Sequence, residues 1–77
     1  MGNFNGWSSK SAWDLALYID NTEAVYREAW IICEDFRQGT FSLMESVHDM
    51  DEMLLAYGTD IYYCYDDLIE YIENHEE

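Results

Sequence analysis

The sequence predicts an all-α fold, a compact bundle of about four short helices packed around one core. Three observations carry that expectation. Apolar residues recur at three- and four-residue spacing over most of the chain. Serine, threonine and asparagine residues stand just ahead of those stretches, and glycines stand just behind two of them. The chain of 77 residues has no proline, and its 49% hydrophobic and 17% aromatic content supplies a core that a disordered acidic tail lacks. A chain of this length holds one domain. It is expected to span residues 1–77, with residues 1–10 an irregular lead-in.

The first helix is expected over about Ala12 to Asp20, with Ser11 as N-cap and Asp14 three residues on as its capping-box partner. The same stretch also reads as a strand. Trp13, Leu15, Leu17 and Ile19 alternate with Asp14, Ala16, Tyr18 and Asp20. Helix is preferred because no partner strand is evident elsewhere. The second helix is expected from Thr22 to Gln38, capped by Asn21 or Thr22 and closed by Gly39. Val25, Ala29, Ile32 and Phe36 form its stripe. Tyr26, Trp30 and Cys33 widen it, which implies more than one packing neighbour.

The third helix is expected from Leu43 to Tyr57. Ser42 and Glu45 form a capping box, Leu43, Val47, Met50, Leu54 and Tyr57 the apolar face, and Gly58 the end. The fourth is expected from Asp60 to Asn74, capped by Thr59 or Asp60, with Ile61, Tyr65, Leu68 and Ile72 facing inward.

Charge is the feature that points to function. Seventeen acids against Lys10, Arg27 and Arg37 give a formal net charge of −14. Residues 1–40 hold six acids and all three bases, whereas residues 41–77 hold eleven acids and no base. Mixed-sign surfaces are the rule, so this half departs from an ordinary solvated helix face. Helical spacing puts Glu45, Asp49 and Glu52 on the outer face of the third helix. It puts Asp66, Asp67, Glu70, Glu73 and Glu77 on that of the fourth. Acids three or four residues apart lie about 5–6 Å from one another, a row broadly comparable in pitch with DNA phosphates. By the same spacing Tyr63 points among the acids, where a tyrosine can serve as an interface anchor.

Direct nucleic-acid binding and attachment to anionic membranes are disfavoured by this charge. The expected partner is a basic protein surface, in particular that of a nucleic-acid-binding protein. No secretory signal, membrane-spanning stretch or myristoylation pattern is evident, and a cytoplasmic protein is expected. Cys33 and Cys64 then read as reduced, half-buried small residues.

Catalytic and cofactor motifs are not found. Glu45 and His48 have the spacing of one half of a carboxylate-bridged di-iron site, but the second half is missing and the pair faces outward. His48 and His75 read as surface residues. There is no phosphate loop and no nucleophile with an orienting base. Neither an enzyme nor a metal or cofactor site is expected.

The stretch "AWDLALYIDNTEAVY" resembles a family of small uncharacterised proteins carried by bacteriophages and plasmids, whose core reads T-W-N-V-A-L-W-I-x-N-D-E-x-x-Y. Trp13, Ala16, Leu17, Ile19, Asn21, Glu23 and Tyr26 match it, with Ala12, Tyr18 and Thr22 in place of Thr, Trp and Asp. The resemblance covers residues 12–26 and implies a mobile-element origin. Physically the motif reads as a helix–turn–helix scaffold, with Trp13, Leu17 and Tyr26 as a small core and Asn21 capping the second helix.

Origin and charge together suggest a DNA mimic that blocks a host defence protein, such as a CRISPR–Cas complex or a restriction enzyme. Two alternatives remain open. One is an acidic module that regulates a host protein without imitating DNA. The other is an acyl-carrier-like protein modified at Ser42, although the Asp that directly precedes the modified serine in such carriers is Phe41 here. Surplus apolar surface on the second helix, with Trp30 and Ile31 on nearly opposite sides, leaves room for a homodimer.

Overall fold

The structure is a computed structural model in which residues 6–75 are described. The described residues form a small all-α bundle of four helices: α1 (Lys10–Asn21), α2 (Glu23–Arg37), α3 (Leu43–Ala56) and α4 (Tyr65–Glu73). Each helix packs on the next, α4 closes back on α1, and α2 also touches α4. Residues 13–19 are helical, so the strand reading of their alternation does not hold. Helix periodicity explains the choice: Ala12, Leu15, Ala16 and Ile19 fall on one side and are buried.

The core takes Leu15, Ala16 and Ile19 from α1, and Val25, Ala29 and Cys33 from α2. Val47, Met50 and Leu54 come from α3, and Leu68, Tyr71 and Ile72 from α4. Each large aliphatic side chain buried here contributes roughly 1.5–3 kcal/mol. The small core expected from Trp13, Leu17 and Tyr26 does not form. Leu17 and Tyr26 are both 42% exposed, and the α1–α2 contact is made one helical step round, by Leu15, Ile19 and Val25.

The helix ends explain most of the boundary differences. Ser9, not Ser11, caps α1: its Oγ accepts from the Ala12 amide at 3.1 Å and donates to Asp67 Oδ1 at 3.2 Å. A tertiary partner on α4 decides between two chemically equal caps. Asp14, assigned to the capping box from sequence, instead pairs with Lys10 at 2.8 Å. Asn21 is the last residue of α1, and Thr22 alone separates it from α2.

At the ends of α2 and α3 the two glycines behave as expected. Gly39 and Gly58 have φ of 82° and 75°. After α2 the Gly39 and Thr40 amides bond back to the Phe36 and Asp35 carbonyls. After α3 the Gly58 and Thr59 amides bond to those of Leu55 and Leu54. This double closure satisfies carbonyls that would otherwise be orphaned. The Ser42–Glu45 capping box is present in both directions.

The fourth helix is shorter than its periodicity suggested. It starts at Tyr65 rather than Asp60, and residues 59–64 run without regular structure. Ile61, Tyr62, Tyr63 and Cys64 are poor helix formers. Two tertiary bonds hold the segment open: Thr59 Oγ1 donates to Tyr18 Oη at 3.0 Å, and Tyr63 Oη donates to Asp51 Oδ1 at 2.8 Å. Ile61 still packs on the core, but Tyr65, expected inside, is 49% exposed. Tyr57, expected on the inner face of α3, caps its C-terminus and is also exposed. Among the described residues no helix is long and apolar enough to cross a membrane.

Candidate partner-binding surface

The structure sorts the acids of the second half into two groups. Glu45, Asp49 and Glu52 on α3 are exposed, as are Asp66 and Glu73 on α4 and Asp60 in the connection. Their environment holds no lysine or arginine from residues 41–77, because that half has none. On α3 the exposed acids follow one another at three- and four-residue spacing, with His48 between them, its Nδ1 3.6 Å from Glu52 Oε2. Glu45 also accepts from the Ser42 amide at 2.9 Å, so one of its oxygens belongs to the cap. Ser42, on which the carrier alternative rests, is the N-cap residue whose Oγ accepts from the Glu45 amide.

The second group works inside the fold. Asp67, expected on the outer face, is only 4% exposed. One of its oxygens accepts from the Cys64 amide at 3.1 Å and caps α4, while the other accepts from Ser9 Oγ. A carboxylate in the first helical turn faces the positive end of the helix dipole, which makes its burial tolerable without a cation. Glu70 is half-buried, because its two oxygens accept from the Ser8 amide at 3.0 Å and the Ser8 hydroxyl at 2.6 Å. Together with Trp7 stacked on Tyr71, ring centroids 6.0 Å apart, these bonds tie residues 7–9 to α4. Asp51 is the acceptor for Tyr63.

Tyr63 is therefore not an anchor among the acids. It lies outside the helix on which that position was reckoned, is half-buried, and spends its hydroxyl on Asp51. Burial first, then the bond to Asp51 and its charge, push this phenol up to about 12. The exposed tyrosines of residues 59–65 are Tyr62, at 75%, and Tyr65. Sequence reasoning missed them by extending a helical wheel over residues 60–64. The signal available was composition, Tyr62, Tyr63 and Tyr65 falling within four residues. Glu77 lies outside the described residues.

Two further expectations change. His75 is not a surface residue: its side chain is 8% exposed, packs edge-on against Trp30, and brings Nε2 to 3.4 Å from Glu34 Oε2 without a well-aligned hydrogen bond. The cysteines are free but unlike each other, Cys33 buried and Cys64 exposed. Burial, then the charge of Glu34, pushes the Cys33 thiol up to about 12, so it stays protonated and a poor nucleophile.

His48, Asp49 and Glu52 bring their ligand atoms within 4.8 Å of one another. All three are exposed, and such a trio offers a divalent cation loose, solvent-shared coordination.

Among the described residues the molecule is thus a small four-helix bundle whose outer α3 and α4 faces carry five exposed acids, with Asp60 a sixth in the connection between them. No family model matches the sequence, and neither a curated protein nor a solved structure matches it.

Proposed function

We propose that this protein is an acidic decoy of mobile-element origin that occupies the DNA-binding surface of a host defence protein and keeps DNA out. The target class is a CRISPR–Cas complex or a restriction enzyme. The observation that carries the reading is the row of exposed acids on α3 and α4, Glu45, Asp49, Glu52, Asp66 and Glu73, in a half of the chain without a single base. Holding such a surface on so small a body costs stability through self-repulsion. A basic groove shaped for phosphates is the surface that would relieve it. The likeness of residues 12–26 to phage and plasmid proteins supports a setting in which such a decoy is useful.

A second reading is favoured by a specific observation. Asp51, Asp67 and Glu70 are committed to internal bonds, which thins the acidic row, and Tyr62 and Tyr65, close to Asp60 and Asp66 in sequence, stand exposed. Exposed tyrosines among acids suit an ordinary protein interface. On this reading the protein regulates a basic host protein without imitating DNA.

Plasmid transformation of bacteria that carry a DNA-targeting defence tests the proposal. Co-expression should raise transformation efficiency in a susceptible strain. The quadruple change Asp49→Asn, Glu52→Gln, Asp66→Asn, Glu73→Gln should abolish the gain without unfolding the bundle. Protection that survives this neutralisation would remove the electrostatic mechanism.

A further inference from the structure

The outer side of α2 carries an apolar face that no other described element covers. Tyr26, Trp30 and Ile31 are 42%, 40% and 53% exposed, and with Arg27 they line an open groove of about 380 Å³, so Trp30 and Ile31, only about 100° apart, share one face rather than standing on nearly opposite sides. The opposite side of the same helix supplies Val25, Ala29 and Cys33 to the core. His75 packs edge-on against Trp30 and steadies the indole from one side. Arg27 is held along the helix by Glu23, at 2.6 Å.

We propose that two copies of this chain associate through this face, with their α2 helices antiparallel about a two-fold axis between positions 28 and 29. In a two-fold interface the same patch meets itself, so each residue needs a compatible opposite number. With the axis there, Arg27 comes level with Trp30 of the second copy across the seam, and this pair occurs twice. Arginine over the face of tryptophan is a favourable cation–π pair. Tyr26 and Ile31 lie on opposite flanks of the face, so each comes beside its own counterpart in the second copy, and both contacts are apolar. The two Arg27 side chains share one flank, and each is paired with Glu23 of its own chain. Glu28 and Ala29, nearest the axis in sequence, are turned about 130° from the middle of this face at 100° per residue. Toward the ends, Glu23 comes level with Glu34 of the second copy, and the arginines that each of these acids already holds in its own chain, Arg27 at 2.6 Å and Arg37 at 2.8 Å, supply the counter-charge.

Net charge selects a second copy's approach to the same side. Contact through residues 41–77 would press together two surfaces that hold eleven acids and no base each. All three bases lie in residues 1–40, and one of them lies in this groove. Two such molecules repel less here than through residues 41–77, and contact here leaves the acids of α3 and α4 free. This inference does not rest on the proposed function.

The test is sedimentation equilibrium of the full chain from about 10 to 500 µM, because one helix face falls at or below the roughly 1,200 Å² end of specific interfaces and a weak dimer is expected. The dimer should tighten several-fold between about 0.05 and 0.5 M salt, since screening weakens the repulsion of like charges and leaves apolar contact intact. Ile31→Glu and Arg27→Glu should each weaken association by about 10-fold or more, with helical circular dichroism unchanged because neither residue is in the core. Using both keeps the test sound if one variant misfolds. A monomer at every concentration and both salts would overturn the proposal. So would a dimer that both variants leave intact, or one that salt dissociates.

Discussion

Asp67 carries the clearest division of labour at the scale of single residues. It is a buried acid in a protein crowded with exposed ones, and it joins the start of α4 to the start of α1 through Cys64 and Ser9. Asp67→Asn keeps the shape and removes the charge at the helix N-terminus. It should lower unfolding free energy by about 1–2 kcal/mol, read from urea titration, and leave partner affinity unchanged. Ser46 is the opposite case. Its Oγ is buried without a hydrogen-bond partner on the inner side of α3. Ser46→Ala removes that orphan and improves helix propensity, so it should raise stability by up to about 1 kcal/mol. A loss of that size instead would mean that the hydroxyl has a partner.

Among the secondary elements, what the sequence made legible is what local chemistry decides. The two glycine ends, the Ser42–Glu45 capping box and the buried stripe Val47, Met50, Leu54 are all present, because each depends on residues within one or two turns. The failures come where distant residues choose. Ser9 prevails over Ser11 through Asp67, and Thr59 and Tyr63 keep residues 59–64 out of the helix through Tyr18 and Asp51. The same failure explains the site. Of the eight residues assigned to it from sequence, Glu45, Asp49, Glu52, Asp66 and Glu73 are exposed. Tyr63, Asp67 and Glu70 are drawn into bonds that span the fold. Gly58 offers a local test. With φ of 75° and nothing within 4 Å of a Cβ placed there, Gly58→Ala meets backbone strain and no clash. It should cost about 1 kcal/mol in thermal unfolding.

For the whole molecule, charge governs behaviour at both ends of the pH scale, and the alkaline end has identifiable groups. Burial is the main cause that raises the Cys33 thiol and the Tyr63 phenol to about 12, and it raises Tyr71 further, with Asp20 next in effect. In the unfolded chain these groups ionise near 9.0 and 10.0. Their folded values are raised, so the stability they contribute is complete below about pH 9 and is lost as pH climbs toward 12. Cys33 alone contributes a slope of up to about 1.4 kcal/mol per pH unit in that window. Cys33→Ala should flatten the lower part of it, which denaturation midpoints between pH 8 and about 11 would reveal.

The central claim, that the acids of α3 and α4 stand in for phosphates, is tested most directly by capture and competition. The full chain is immobilised, a lysate of a host bacterium is passed over it at low salt, and a parallel sample contains excess duplex DNA. The account predicts retention of a basic DNA-binding defence protein, its release by the duplex, and loss of retention at about 0.5 M salt, where exposed charges are screened beyond a few ångströms. A partner held equally well with duplex present would contradict it, and would assign the acidic face to regulation rather than mimicry.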